Sequence, residues 1–346
     1  MKKVLYLSNT EVPYRVRFFN ELAKYCDLTV LYERQAASTR NADWAKSEET
    51  TCSVKYLRGI RLGGESGFSF EILKEVFSSY DEVIVGCYNS PAQMLAILAM
   101  RLMKRPYAVN LDGEPFLDGK GLKTRLKRFF LRGAETYYVA GDKAADSVRS
   151  VAGSAPVIPY PFGSLTEREV CEHAATTCRR NDTVLVVGRY FDYKGMDIAL
   201  EAARMDCAIS YKFVGMGDRA QQFQKDFAGK IPQNVQIIPF LQKQELETEY
   251  QRCGMLLLPS RRECWGLVVG EAASFGMPIV STRGSGAAVE FLAGNYPQYL
   301  AEPGDAADLL RCIRLCRDSG DKSTYQAFLL RKAANYTIEK CVQAHL

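Results

Sequence analysis

Short apolar runs and polar, turn-rich stretches alternate along the chain. Val4-Leu5-Tyr6-Leu7 is the first run. A loop over 8–14 follows, then residues 16–25, where Phe18, Phe19 and Leu22 recur at helical spacing, and then a second run over 28–32. Apolar runs of this length between turn residues read as buried strands. Strand, helix, strand at this spacing is a parallel crossover unit. The same reading predicts strands over 82–85, 107–111, 137–140 and 157–158, with a helix over 91–103. A connection rich in proline and aromatic residues, 158–163, ends this half, and a domain boundary is expected near Phe162. Residues 164–180 read as a polar helix or arm. Strands then follow over 183–187, 211–214, 235–240, 255–258 and from 279, with helices over 196–204, 306–318 and 325–345. Such alternation predicts two doubly wound α/β domains, with ligands gathering at the carboxyl ends of the strands.

The chemistry concentrates in strand-end loops of the second half. Residues 259–281 read PSRRECWGLVVGEAASFGMPIVS: a loop, a helix opened at Gly266, and a stop at Gly276 and Pro278. The first N–H groups of a helix lack internal partners and carry partial positive charge, so Gly266, Leu267 and Val268 suit a phosphate. Arg261 and Arg262 add positive charge. Glu263 and Glu271 would repel a phosphate and need another task, and a carboxylate can accept two hydrogen bonds from a sugar diol. Alternatively, Glu263 is a solvated loop residue and Glu271 a surface residue of the helix. Upstream, Gly188-Arg189-Tyr190-Phe191-Asp192-Tyr193-Lys194-Gly195 joins a strand to a helix. Arg189 and Lys194 there could clamp a diphosphate.

Three loops of the first half are candidates. Arg15, in Pro13-Tyr14-Arg15, either touches a phosphate or holds its loop. Tyr88 and Asn89, in the turn before Pro91, would face an acceptor, or else belong to a plain turn with a helix cap. Asp112 and Glu114 end the strand 107–111; they could orient a hydroxyl or accept its proton, or be ordinary Asp-Gly turn chemistry.

Composition narrows the classes. The chain has 346 residues, 47% hydrophobic and 25% charged, room for two ordinary domains. No run approaches the about 20 apolar residues of a membrane span. The first apolar run is too short for a signal peptide, so a cytoplasmic location is expected. Eleven cysteines without a Cys-x-x-Cys pair, and only two histidines, argue for reduced thiols and against a metal centre. The net charge of +5 comes from residues 1–160, which hold 23 Lys and Arg against 18 Asp and Glu. That excess is too small for nucleic acid but suits an anionic surface or acceptor. Residues 119–133, GKGLKTRLKRFFLRG, form a basic amphipathic helix. Its Leu122, Leu126, Phe129 and Phe130 are expected to pack on the sheet, and its basic side would make peripheral membrane contact.

The set Pro259-Ser260, Glu263, Trp265-Gly266-Leu267, Glu271-Ala272, Gly276 and Pro278 resembles the Glu-x7-Glu signature of glycosyltransferase family 4. Arg189 and Lys194 match that family's diphosphate-binding pair. The resemblance spans nearly the whole chain and is densest over 183–282. It implies the GT-B fold: two doubly wound Rossmann-like domains facing a central cleft. Residues 1–162 would be the acceptor side, 163–324 the donor domain, and 325–346 a helix crossing back. It implies that Gly188, Gly215 and Gly217 lie beside the nucleotide, that the strand ending at Phe240 contacts the base, that Glu271 binds the ribose and that Glu263 binds the donor sugar. The family's glycine-rich loop is missing; Pro13-Tyr14-Arg15 resembles the variant of members that build surface polysaccharide. The implied activity is retaining, metal-independent transfer without a cofactor. The donor would be a UDP-sugar and the acceptor a saccharide or lipid-linked saccharide. Two rivals stand beside it: a nucleotide-sugar epimerase of the same fold, and a non-catalytic nucleotide-sugar binding subunit.

Overall fold

The computed structural model describes residues 1–34, 49–62 and 66–346. They form two compact units, one of Met1–Phe162 with Ile338–Leu346 and one of Gly163–Thr337. The first unit opens with β1 (Lys3–Thr10), α1 (Pro13–Leu22), β2 (Asp27–Arg34) and β3 (Ser53–Tyr56). A small antiparallel hairpin of β4 (Ile60–Leu62) and β5 (Ser66–Phe68) follows, then α2 (Glu71–Val76), β6 (Glu82–Val85) and α3 (Pro91–Leu102). The unit continues through β7 (Ala108–Leu111), α4 (Leu122–Leu131), β8 (Thr136–Ala140), α5 (Asp142–Ala152) and β9 (Val157–Tyr160). Among the described residues its sheet runs β3-β2-β1-β6-β7-β8-β9, parallel throughout. The apolar runs are explained by burial on both faces, the condition of a parallel sheet: Leu5, Val83, Val109, Tyr137 and Val139 are all fully enclosed.

The second unit repeats the plan. It contains α6 (Glu167–Ala174), β10 (Val184–Val187), α7 (Met196–Met205), β11 (Tyr211–Val214), α8 (Ala220–Asp226), β12 (Val235–Ile238) and α9 (Lys243–Arg252). Then come β13 (Met255–Leu258), α10 (Val268–Ser274), β14 (Ile279–Thr282), α11 (Gly286–Leu292), β15 (Leu300–Ala301), α12 (Ala306–Arg317) and α13 (Lys322–Ala333). Its parallel sheet runs β12-β11-β10-β13-β14-β15. In both sheets the strand order reverses once, between β1 and β6 and between β10 and β13. Such reversals are where α/β sheets bind ligands.

Three expectations change. The helix expected over 325–345 is two helices. α13 packs on α10 within the second unit, and only α14 (Ile338–Gln343) packs on α1 of the first. Between them Asn335 and Thr337 are weak helix formers, and Tyr336 turns to donate to Glu290 at 2.6 Å. The arm over 164–180 contains the shorter helix α6, started by a capping box between Thr166 and Glu169. In α4, Phe130 and Leu131 are buried, whereas Leu122, Leu126 and Phe129 are exposed. The helix is turned so that, of the four residues expected to pack, only Phe130 is buried, and Lys127 and Arg128 hold it there by donating to the carbonyls of Pro115 and Leu117.

Candidate functional site

In the second unit, the loops after β10 and β13 lie side by side at the sheet reversal. Two glycines make this fit possible. Gly195 adopts a left-handed conformation, φ 68°, and a Cβ there would sit 2.0 Å from the Pro259 carbonyl oxygen. The loop carrying Arg189 and Lys194 can therefore lie flat on the one carrying Glu263. Gly266, at φ 104°, lets the chain turn into α10 with its Cα against Ser285 and Glu263. The N–H groups of Gly266, Leu267 and Val268 donate no hydrogen bond among the described residues. Val269 is the first amide after the turn to find a partner, the Gly266 carbonyl at 3.0 Å.

The charged side chains around these amides are already engaged. Lys194 Nζ is ion-paired with Glu263 Oε2, which also accepts from Ser260 Oγ at 3.4 Å. The expected diphosphate cation and the expected sugar-binding carboxylate thus neutralise one another. Arg261 is not a free cation for a phosphate. It donates to both carboxylate oxygens of Asp197, at 2.7 and 2.6 Å, and to the Asp192 carbonyl at 2.8 Å. This two-point clamp staples the loop after β13 to α7. Arg189 stacks over Phe191 at 4.9 Å from the ring centroid.

Glu271 is half-buried on α10, with both carboxylate oxygens engaged. Its Oε1 accepts from Ser164 Oγ at 2.9 Å and its Oε2 from the Tyr250 hydroxyl at 3.1 Å. Burial raises its pKa, against the opposing effect of the two hydroxyl donors. A carboxylate offers about four acceptor positions, so two hydroxyls leave room for a diol. Gly188 N–H donates to the Val214 carbonyl at 2.9 Å, and Gly217 N–H to the Pro239 carbonyl at 2.6 Å. Gly188, Gly215, Gly217 and Phe240 are thereby gathered at adjoining strand ends, with β12 ending at Ile238 rather than at Phe240.

The first-unit candidates fare differently. Arg15 is buried, and its guanidinium lies 5.6 Å from the Tyr6 ring, 5.4 Å from Phe18 and 5.7 Å from Phe162. Its Nη2 is ion-paired with Asp112 Oδ1. The same oxygen accepts from Asn110 Nδ2 and from the Tyr160 hydroxyl, each at 3.0 Å. Asp112 is therefore a fixed, neutralised carboxylate and not a loose turn residue. Asn110 in turn meets His345 Nε2 through its Oδ1 at 2.7 Å. His345 stacks on Tyr138 at 4.4 Å between ring centroids, and its pKa falls to about 3 through burial. Tyr88 belongs to the hydrophobic core. Asn89 is exposed and accepts from Cys87 Sγ at 3.1 Å. Glu114 turns back to accept from the Phe116 N–H at 3.3 Å, leaving Oε2 buried without a partner.

Sequence reasoning missed Ser164, Tyr250, Arg219, Asn110, Tyr160 and His345. Arg219 stacks at 4.1 Å on the Phe191 ring that Arg189 also covers. None of these residues carries a local signal, since their partners lie up to 235 positions away in the chain.

Residues 177–326 match the family model described as glycosyl transferases group 1. An uncharacterised glycosyltransferase of Methanocaldococcus jannaschii is 24% identical over 159 residues, 46% of this chain and 45% of that protein. An uncharacterised 41.2 kDa protein in the cps region of Klebsiella pneumoniae is 32% identical over 133 residues, 36% of each chain. The chain thus spans less than half the length of either of these relatives. Among solved structures, HepE of Anabaena in complex with UDP and glucose superposes with a TM-score of 0.72 at 17% identity, covering 99% of this chain and 98% of that one. Residues 177–326 are thus similar to the group 1 glycosyl transferases, and the two parallel-sheet units carry the GT-B fold.

Proposed function

We propose that this chain is a retaining, metal-independent enzyme of glycosyltransferase family 4. It would move a sugar from a UDP-sugar to a saccharide or lipid-linked saccharide acceptor during surface polysaccharide synthesis. The observation that carries the reading is the group at the second sheet reversal: three unbonded N–H groups at Gly266, Leu267 and Val268 beside the Lys194–Glu263 pair. A diphosphate placed on those amides takes Lys194 and Arg189 as its cations. Glu263, relieved of Lys194, turns to the donor sugar, and Glu271 takes the ribose diol. Pre-set donors of this kind stabilise the charge that grows on a leaving diphosphate, often the largest catalytic term. The bond from the sugar's anomeric carbon to the β-phosphate oxygen breaks as the bond to the acceptor oxygen forms on the same face. The acceptor's proton passes to the departing phosphate. Arg189, Lys194 and the amides supply the neutralising charge, so the reading calls for neither a metal nor a cofactor.

UDP as the nucleotide is supported by the UDP and glucose held by HepE, and the polysaccharide role by the cps-region relative. In this reading the first unit takes the acceptor, with the Arg15–Asp112 pair fixing the loop after β7. Among the described residues no helix is long and apolar enough to cross a membrane. The test is calorimetric titration of UDP, GDP and ADP into wild type, Arg189→Ala and Glu271→Ala. It is followed by measuring nucleotide release from UDP-sugars with and without acceptor saccharides. Preferred UDP binding, weakened in both variants, with release that needs acceptor, is the expected outcome. Interconversion of the free nucleotide sugar without release would establish an epimerase. Binding without either reaction, across an acceptor panel, would establish a non-catalytic subunit.

A further inference from the structure

Helix α4 carries an apolar face that no part of the described first unit covers. Leu122, Leu126 and Phe129 fall at i, i+4 and i+7, one face of a helix. They are 73%, 46% and 50% exposed. The neighbouring end of α3 extends this face. Arg101 ties the two helices together, donating from Nη2 to the Phe130 carbonyl at 3.0 Å and from Nε to the Tyr107 hydroxyl at 3.0 Å. Its guanidinium lies 5.2 Å from the Phe129 ring centroid. The next residues are Leu102, 83% exposed, and Met103, also exposed. Clustered exposed apolar side chains of this size mark an interaction surface.

The charges around the face identify what covers it. Lys104, Lys120, Lys123, Arg125 and Arg132 are exposed, and none has an ion-pair partner among the described residues. α4 itself contains no acidic residue. Elsewhere in the first unit, Lys2, Lys24, Lys55 and Arg149 each pair with a carboxylate. A second copy of this chain would bring the same cations face to face across a two-fold interface, which is unfavourable. A flat surface that is anionic at its headgroups and apolar beneath matches both features at once.

We propose that α4 and the end of α3 form a docking surface for an anionic lipid bilayer. α4 lies in the plane of the interface, with Leu122, Leu126 and Phe129 inserted below the headgroups. The apolar side chains enter by about 5–10 Å, the depth usual for such helices. Lys123, Arg125 and Arg132 extend sideways to the headgroups, as long basic chains do. Lys127 and Arg128 remain with the carbonyls of Pro115 and Leu117 and hold the helix on the protein. The proposal is independent of the glycosyl-transfer reading, since vesicle binding requires no donor.

The test is co-sedimentation of the full chain with vesicles of phosphatidylglycerol and phosphatidylcholine, against vesicles of phosphatidylcholine alone. Two double variants accompany it, Leu122→Ser with Phe129→Ser, and Lys123→Glu with Arg125→Glu. Binding to the anionic vesicles, at least tenfold weaker to the neutral ones and lowered by raising the salt, is expected. Each lost basic residue should weaken binding about fivefold, and the serine pair at least tenfold. All four substituted side chains are exposed, so melting temperatures should stay at the wild-type value and report an intact fold. No binding of folded wild type to anionic vesicles at low salt overturns the proposal. So does undiminished binding by both variants. A concentration-dependent dimer lost on Leu122→Ser with Phe129→Ser would instead assign the face to a second copy. UDP titration of the same proteins keeps a failure here separate from a failure of the donor site.

Discussion

The Lys194–Glu263 pair allows a decisive cycle. Both side chains are largely enclosed, 18% and 15% exposed. Replacing Lys194 with Met leaves Glu263 charged, partly buried and supported by one hydroxyl, Ser260 Oγ at 3.4 Å. Breaking a buried pair by removing one partner costs about 3–5 kcal/mol. With some water access and the remaining hydroxyl, about 2–3 kcal/mol is expected. At roughly 2–4 °C per kcal/mol for a unit of this size, the transition falls by about 5–10 °C. Lys194→Met should also weaken UDP about tenfold to hundredfold, the value of one charge-assisted contact to the diphosphate. Adding Glu263→Gln removes the stranded carboxylate, so the double variant should melt close to wild type. UDP binding should not recover with it, because the missing cation is still missing. The assay is a four-protein set measured by thermal melts and UDP calorimetry. Should UDP affinity return together with stability, Lys194 serves only as the structural partner of Glu263, and its assignment to the diphosphate fails.

Other residues make further tests. Glu271 has its pKa raised by burial above 4.5, so the folded state holds its proton longer than the unfolded one and stability falls as pH rises through that range. Glu271→Gln should accordingly gain in melting temperature over wild type at pH 7–8, with the gap closing toward pH 4.5, while its UDP affinity drops about tenfold; a gap independent of pH contradicts the assignment. His345 has the opposite sign, with a pKa lowered from 6.5 to about 3. Its unfolded form takes up a proton first as pH falls, so wild type should lose stability below about pH 6.5 more steeply than His345→Phe, by at most about 1.4 kcal/mol per pH unit. Parallel acid melts of the two proteins would refute this. Gly195→Ala forces a Cβ to 2.0 Å from the Pro259 carbonyl oxygen in a left-handed conformation. It should cost about 2 kcal/mol or more and reduce UDP binding, and a wild-type melt would show the loops are not in contact. Arg219→Ala, at an exposed side chain stacked on Phe191, should leave the melt unchanged and weaken UDP severalfold, and unchanged UDP affinity would show that Arg219 lies outside the donor site.

The sequence by itself determined the elements and their layering. Runs such as Val184–Val187 and Met255–Leu258 admit burial on both faces and little else, and the punctuation by Gly and Pro marks their ends. It also singled out the candidate loops, since Arg189, Lys194, Glu263, Gly266 and Glu271 stand out locally as charges and glycines at strand-to-helix junctions. Tertiary structure alone decided what those side chains hold. Arg261 is consumed by Asp197, Lys194 by Glu263 and Arg15 by Asp112, partners separated by 64, 69 and 97 positions. Periodicity carries no information at that range, because an ion pair depends on which strand ends the sheet order makes neighbours. The same holds for α4. Its amphipathic spacing was legible, but which face meets the protein depended on Lys127 and Arg128 reaching the carbonyls of Pro115 and Leu117. A helix with apolar side chains on two sides and cations between them can seat either way in isolation, and only its surroundings choose which side is left outside.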